Sequence, residues 1–526
     1  MPQQDDLALV ASLRGEPQHL SAAGVTRTAQ RLATIENASP FGPAARAQRR
    51  IVVIADNERA TRATLAAIRW FKTAAPGRLR DRWDLSAVLL SHANDATPAQ
   101  QLAFPPLKGF FDSPEQPESR YLWRWVAYQA PDLLLQIRGG DVLSRGTPPA
   151  GSLAAAMAGG SEIGTVPAVY GSAREADGPT LLSQVLNGAA DTPQSEIRST
   201  LIARSSRDPL AVARVLAARY PQTPLVSYIP SVAWANTLRL ADITKDDALR
   251  QKVLTDTRPW LLRERPLFGE RVALTAVAGT MIYADLARRG DESAKPLAVQ
   301  GADEALKVAP TGYAQHGAGW TDDMFMLAAI LSRSGTMPGR QRDLDHLAGM
   351  LISYAGRLQR PDGVFVHFTD GRVAWGRGNG FAALGLTEAL TSLPGTHQSR
   401  ARVLDIYRRQ MSGMRAMQAP DGMWRQVVDE PGAYREESVT AMTLTAMSRG
   451  IRLGWLDAKT YRPVVDRAWR ALAAHITESG AIVDICTGTG SQATLRLYLD
   501  RPAISDFDDR GGAMGLLAAL EMYELQ

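Results

Sequence analysis

The stretch HGAGWTDDMFM, His316 to Met326, puts a histidine, a tryptophan and two adjacent carboxylates just before a run with helical spacing. Carboxylates at a helix start have an ordinary role, which is to offset the positive end of the helix dipole. A carboxyl buried beside an indole can instead act as a general acid, because burial favours its protonated form. Asp322 and Met326 are four residues apart and would share a helix face, while Asp323 points elsewhere and suits a helix-start charge. His367, Trp375, Arg377, Trp424 and Glu437 lie in similar settings further along. Aromatic rings beside charged groups suit a sugar, which offers apolar ring faces and hydroxyl edges. The plain alternative is that each tryptophan anchors its own turn.

These residues recur because the elements that carry them recur. After about residue 235 the sequence turns to long Ala-, Leu-, Met- and Arg-rich segments with helical periodicity, at 271–288, 323–334, 342–358, 380–392, 400–417, 437–453 and 461–477. Between successive pairs sit turns with short β-like flanks, whose first glycines are Gly312, Gly363, Gly422 and Gly480. A unit of helix, helix and short hairpin repeated in this way either closes into an (α/α) toroid or extends as a superhelical solenoid. In a toroid, the loops at one end line a central pocket.

The first half reads differently. IVVIA (51–55), LSAVLLS (85–91), DLLLQI (132–137) and PLVSYI (224–229) are short apolar runs, and helical stretches such as ERATRATLAAIRWFKTA from Glu58 lie between them. Buried strands alternating with helices predict an α/β domain with a largely parallel sheet. The expected organisation is an α/β domain over 1–235, non-catalytic, followed by an all-α domain of five or six repeated helix pairs over 236–526.

Bulk properties narrow the function. The 526 residues are 45% hydrophobic and 21% charged, ordinary for a globular protein of more than one domain. A net charge of +5 without a long Lys/Arg block is no nucleic-acid signature. The single cysteine, Cys486, excludes an internal disulfide and argues against a Cys-rich metal site. No apolar run reaches the roughly 18 residues of a membrane helix, so no membrane partner is expected. The start, MPQQDDLALVASLRGEPQHL, is not a signal peptide as written. The sequence therefore reads as cytoplasmic, or periplasmic if a signal peptide was removed.

With these pieces in order, the second half resembles a known bacterial family. GWTDDMFM (319–326), PDGVFVHF (361–368) and WGRGNGF (375–381), supported by PDGMWRQVVDEPGAYREESVTAM (420–442) and DDRGGAMGLLAALE (508–521), are similar to the unsaturated rhamnogalacturonyl hydrolases of glycoside hydrolase family 105, relatives of the family 88 unsaturated glucuronyl hydrolases. The resemblance covers roughly 240–526 and implies an (α/α)6 barrel. It also implies an enzyme that removes a terminal C4=C5 unsaturated uronate from lyase-derived oligosaccharides by hydrating the double bond, with no metal or organic cofactor. Asp322 falls on the acid/base aspartate, flanked by Trp320 and Met326. Arg377 would hold the uronate carboxylate, for which a planar fork suits better than lysine. Trp375 would stack on a ring, and His316 and His367 would bond hydroxyls. Gly378 and Gly380 would let backbone approach the sugar. Phe381 stands where the family's RGNGW ends in tryptophan, keeping an apolar wall without the indole donor. A second acid one repeat earlier would be Glu270.

The first half faintly resembles the zinc-carboxypeptidase-like α/β fold, or else is an unrelated flavodoxin-like scaffold. In the former, Asp56-Asn57-Glu58 and Arg138 occupy the places of the metal ligands, and His92 stands at the wrong place, so catalytic zinc is not expected. Two rival functions remain for the barrel. One is a catalytically decayed sugar-binding protein; the other is a different (α/α)6 sugar enzyme such as an epimerase, which needs a pair of catalytic histidines.

Overall fold

A computed structural model describes residues 18–37, 40–42, 48–89, 102–106 and 117–526. The chain divides into two compact units. One is Met1–Ser206 with Ala419–Met423 and Glu430–Tyr434; the other is Arg207–Gln418 with Trp424–Asp429 and Arg435–Gln526. The expected boundary at 235/236 is thus displaced. It would cut a single buried helix, Tyr228–Thr244, whose residues on both sides of that point share one core.

The first unit carries strands β1 (Gln18–Val25), β2 (Arg31–Asn37), β3 (Arg49–Ala55), β4 (Trp83–Val88), β5 (Leu133–Gly139), β6 (Ser144–Gly146) and β7 (Ala168–Ala173) in one sheet of order β1-β2-β4-β3-β5-β7-β6. The interior strands β4, β3, β5 and β7 run parallel, and β1, β2 and β6 add antiparallel margins. Ile51, Val52, Val53 and Ile54 are all buried, as a strand covered on both faces requires. The helices are α1 (Glu58–Thr73), α2 (Gly77–Arg82), α3 (Pro117–Tyr128), α4 (Leu153–Gly159), α5 (Gly178–Gly188) and α6 (Glu196–Ser205). The positions of the faint metallopeptidase pattern have structural partners. Asn57 caps α1 by accepting from the Ala60 amide at 2.9 Å. Asp56 accepts from Gln136 at 2.7 Å and from the Tyr170 hydroxyl at 3.1 Å. Arg138 is exposed. His92 lies outside the described residues. Among the described residues, no group of three or more His, Cys, Asp or Glu could hold a metal ion, and no helix is long and apolar enough to cross a membrane.

PLVSYI is not a strand. Leu225 is exposed and the chain enters a helix at Tyr228, with Pro230 in the first turn, where its missing N–H is not needed. That helix is α8 (Tyr228–Thr244), preceded by α7 (Pro209–Arg219) and followed by α9 (Asp247–Leu261), α10 (Leu274–Gly279), α11 (Met281–Arg288), α12 (Lys295–Ala305), α13 (Thr321–Ser334), α14 (Arg342–Leu358), α15 (Gly376–Ser392), α16 (Arg400–Ala416), α17 (Glu437–Arg452), α18 (Ala458–Ala474), α19 (Leu495–Leu499) and α20 (Asp509–Leu525). Helices α8, α10, α13, α15, α17 and α20 touch in succession, and α20 returns to α8, so the cycle closes. The others lie outside it: α7 on α20, α9 on α8, α12 on α11 and α13, α14 on α13, α16 on α15 and α18 on α17. Sequence follows position. α14 buries Leu344, Leu347, Leu351, Tyr354 and Leu358 along one stripe, whereas α15 and α17 are buried nearly all round.

The repeat is present in the backbone. Gly312, Gly363, Gly422 and Gly480 all have positive φ, between +79° and +103°. At three of these turns, bridges Val308–Ala314, Gln359–Phe365 and Ile476–Ile482 close the hairpin. Further bridges, Trp320–Phe368 and Trp375–Val427, stitch each hairpin to the next at the N-terminal ends of α13 and α15. The C-terminal ends of the cycle surround a cavity of about 390 Å³. Its wall holds an ion-pair lattice. Glu388 accepts from Arg333 at 2.9 Å and Arg449 at 2.7 Å, and Glu521 accepts from Arg449 and Arg239, each at 2.9 Å.

Candidate active site

Trp320 and Trp375 are the N-caps of α13 and α15. Asp322 and Arg377 are therefore each the second residue of an inner helix, and the same position is Ser438 in α17 and Arg510 in α20. Equivalent positions of a closed cycle converge on one end of it. The Arg377 Nε donates to the Ser438 hydroxyl at 2.9 Å, joining two of them directly.

Asp322 keeps 22% of its side chain exposed, and its Oδ2 lies 3.3 Å from Nε2 of His367. That contact lacks hydrogen-bond alignment. The His367 ring is buried in an aromatic cage: Trp375 at 4.6 Å, Trp320 at 5.4 Å and Tyr498 at 5.7 Å between centroids. Its Nδ1 is fixed by the Tyr498 hydroxyl at 2.7 Å, which orients Nε2 toward the carboxylate. Burial pushes Tyr498 up to about 12; a bond from the Gln492 amide pulls it down, and the Asp322 charge adds to the rise. Tyr228, at the start of α8, is also pushed up to about 12 by burial, with Arg377 opposing and Asp322 reinforcing. Both tyrosines thus sit within the electrostatic reach of Asp322. Neither stands in a chemistry-bearing motif: Tyr228 lies in PLVSYI, an apolar run that reads as a strand, and Tyr498 is a lone residue.

The structure brings together Asp322, Trp320, His367, Trp375 and Arg377, and places the other expected residues elsewhere. His316 bonds Glu304 of α12 at 2.9 Å at the hairpin base. Met326 is buried in the core, because one turn into α13 the helix is covered on every side. Phe381 is also buried, stacked on Phe325 at 5.9 Å and edge-on to Tyr228 at 5.5 Å, so it supports Tyr228 from behind. Glu270 is exposed in the segment before α10 and is no part of the cluster. Trp424 is an anchor, fully buried with its Nε1 donating to the Met414 carbonyl at 2.6 Å.

Three further differences concern supporting groups. Asp323 is more than a helix-start charge. It is buried, and accepts from the Gly319 amide at 2.7 Å and the Tyr354 hydroxyl at 2.8 Å, clamping the loop before Trp320. Burial raises it to about 6, against the pull of those two donors and with help from Asp322. Gly378 and Gly380 serve packing. A Cβ at 378 would lie 2.5 Å from the Thr321 hydroxyl and 3.2 Å from Trp375, and one at 380 would lie 2.4 Å from the Met442 sulfur. Glu437, the first residue of α17, is wholly buried; its carboxyl has no hydrogen-bond partner among the described residues, and burial, with Glu436 and Asp508 nearby, holds it well above the usual range.

A carboxyl beside a buried, oriented imidazole, framed by indoles and phenols at the mouth of a helical cycle, can exchange a proton with a sugar ring stacked there. Residues 217–526 match the profile of Glycosyl Hydrolase Family 88. The chain belongs to that family. Among curated relatives, it is 27% identical over 195 residues to the unsaturated rhamnogalacturonyl hydrolase YesR of Bacillus subtilis, covering 35% of this chain and 54% of that one. It is 31% identical over 181 residues to an unsaturated 3S-rhamnoglycuronyl hydrolase of Formosa agariphila, covering 31% and 48%. The chain thus spans about half the length of these two relatives. A family 105 glycoside hydrolase from C. acetobutylicum superposes with a TM-score of 0.54 over 60% of this chain and 98% of that one, at 18% identity, which speaks for the fold of the family 88 portion.

Proposed function

We propose that this family 88 protein is a glycosidase that removes a terminal C4=C5 unsaturated uronate from lyase-derived oligosaccharides, on an (α/α)6 barrel formed by the closed cycle of inner helices and their outer partners. The observation that carries the reading is the Asp322–His367 pair at the cycle's N-terminal mouth, 3.3 Å apart within the cage of Trp320, Trp375 and Tyr498. The activities of the two curated relatives support the substrate class.

In this mechanism Asp322 gives its proton to C4 of the enol ether, forming a C4–H bond while positive charge develops at C5. Water adds at C5, and its proton returns to Asp322, which regenerates the acid. The resulting hemiketal opens and the glycosidic bond is lost. His367, held by Tyr498, positions hydroxyl or water next to the carboxylate. Trp320, half-buried, supplies a ring face for stacking, whereas Trp375 is buried against His367 and backs the cage instead of meeting a sugar ring. The first unit of the chain is proposed to be non-catalytic.

The epimerase alternative finds less support, because His316 is paired with Glu304 and, among the described histidines, only His367 stands beside Asp322. Ultraviolet absorbance of the conjugated double bond, followed on a panel of lyase-generated disaccharides, tests the reading. Decay with the wild-type protein and none with Asp322→Asn is the expected result. Binding without decay on every member would favour a decayed sugar-binding barrel.

A further inference from the structure

The cavity at the C-terminal ends of the helix cycle lies at the end remote from Asp322. Its walls turn from apolar to charged along each helix. α8 contributes Val232, Ala235 and then Arg239; α11 contributes Met281 and then Asp285 and Arg288; α20 contributes Leu517 and then Glu521 and Glu524. Spacings of three and four residues keep each of these sets on one helix face. Phe325 of α13 adds a further apolar surface, with Arg333 two turns beyond it. Val232, Met281 and Phe325 are buried, whereas Arg288 keeps 42% of its side chain exposed at the rim. A volume of about 390 Å³ with an apolar interior and few polar groups is in the range of small-molecule sites.

The charges on this wall pair off in order round the cycle. Asp285 meets Arg333 at 3.1 Å, Arg333 meets Glu388 at 2.9 Å, Glu388 meets Arg449 at 2.7 Å, and Glu521 meets Arg449 and Arg239, each at 2.9 Å. Glu524 meets Arg452 at 3.1 Å, and Arg289 is taken by Asp242 at 2.8 Å. This belt joins the helix ends and offsets their dipoles. Arg288 is the cation left over. It reaches only Asp285, at 3.4 Å through Nη1, and Asp285 is already held by Arg333. Its Nε and Nη2 make no hydrogen bond among the described residues, and they are the edge that a carboxylate grips with two parallel bonds. Partial burial holds Arg288 below its ordinary value against the pull of Asp285, and Arg333 and Arg289 add to the fall, so an anion beside it would be stabilised.

We infer that this cavity is a second ligand site, for a small organic carboxylate with an apolar body, its carboxylate on the Nε–Nη2 edge of Arg288 and its body against Val232, Met281 and Phe325. One surplus cation selects a monoanion, because the carboxylates of the belt repel a ligand of higher charge. The site is separate from the sugar chemistry at the other end of the cycle, and its test uses no uronate.

Calorimetric titration of the full chain with benzoate, at an ionic strength held constant with chloride, tests the inference. The expected result is one benzoate per chain with a Kd of about 1 mM or tighter. Benzamide has the same body without the charge, and acetate has the charge without the body. Each should bind at least about 10-fold more weakly, the loss due to one charge-assisted pair or to the apolar contact. Arg288→Gln should weaken benzoate by about 10-fold and leave benzamide unchanged. Arg288 stands at the rim and Asp285 keeps Arg333, so the variant should fold. No benzoate binding, equal binding of benzoate and benzamide, or an unchanged benzoate Kd in Arg288→Gln would overturn the inference; the last would place benzoate elsewhere. If the variant fails to fold, methionine methyl spectra of the wild-type protein decide. Nuclear Overhauser contacts from the benzoate ring to the Met281 methyl, assigned through Met281→Leu, support the site, and their absence at saturating benzoate overturns it.

Discussion

Asp322 and Arg377 occupy the same place in successive repeats: each is the second residue of an inner helix whose N-cap is a tryptophan, and each of those tryptophans bridges to the following hairpin. Repetition of one backbone unit therefore delivers different side chains to a common point. In the proposed site one repeat supplies an acid, the next a cation that organises a loop, and α17 and α20 supply Ser438 and Arg510. The chemistry is set by which residue fills the second position, and the scaffold by the glycine turns and helix pairs.

Replacing Asp322 by asparagine should separate catalysis from folding. The side chain is partly exposed, and among the described residues its one hydrogen bond is a 3.4 Å contact from Thr321. We expect kcat to fall by at least about 10³-fold, at the upper end of general acid–base contributions. The thermal midpoint should move by no more than about 1–2 °C, which is roughly 1 kcal/mol for a unit of this size. Steady-state ultraviolet assays paired with calorimetry check both parts. A large drop in the midpoint would make Asp322 a structural residue.

Tyr498→Phe should impair turnover more than binding. The hydroxyl fixes Nδ1 of His367 at 2.7 Å and so decides where Nε2 points, while the ring still packs in the cage. A fall in kcat of about 10-fold with KM nearly unchanged is the expected outcome for loss of one orienting bond. His367→Gln should cost more, and the double variant should cost no more than His367→Gln alone, because the two residues act as one unit. Additive losses in this cycle would contradict that linkage.

Much of this architecture could be read from residue patterns, for reasons that differ by element. β3, β4 and β5 are interior strands, and burial on both faces leaves continuous apolar runs that signal themselves. β1 and β2 lie at the margin of the sheet, where alternation is diluted, and were not seen. PLVSYI misled because a β-branched run before a first-turn proline resembles a strand. In the site, Asp322, His367, Trp375 and Arg377 were legible because they stand in dense motifs at repeat positions. Tyr228 and Tyr498 come from elements with no motif of their own, and only the closure of the helix cycle brings them near Asp322. Arg377 stands in one of those motifs, but its partners within the fold do not show in the sequence. Its hydrogen bonds to Ser438 and to the Cys486 carbonyl depend on tertiary contacts over 61 and 109 residues of sequence.

Asp323 should make stability fall as pH rises through mildly acidic values. Its folded value is raised from 3.8 to about 6, so the folded protein holds a proton there that the unfolded chain releases. The contribution is fully present below about pH 4 and is lost as pH rises through about 6, amounting to about 3 kcal/mol at most. Urea titrations of wild type and Asp323→Asn from pH 4 to pH 7 should show the wild type losing ground relative to the variant over that window. A difference that stays constant, or grows in the wild type's favour, would contradict the buried, partly protonated state.

Glu388 carries the opposite sign. It is pushed up by burial, yet Arg333 and Arg449 hold it down at about 2, below its ordinary 4.5. Its stabilising contribution is therefore complete above about pH 4.5 and is lost as pH falls toward 2. Removing it leaves two buried guanidiniums each short of a partner, at 2.9 and 2.7 Å in the native lattice. Glu388→Ala should cost about 3–5 kcal/mol at neutral pH, as breaking a buried pair does. The same variant should cost clearly less at pH 3, where the wild-type carboxylate is already losing its advantage. Because the lattice lies at the C-terminal ends of the helix cycle and Asp322 at the N-terminal ends, kcat of whatever fraction remains folded should be unchanged. Denaturation curves at the two pH values, read beside the ultraviolet assay, distinguish this from a residue that also shapes the sugar site.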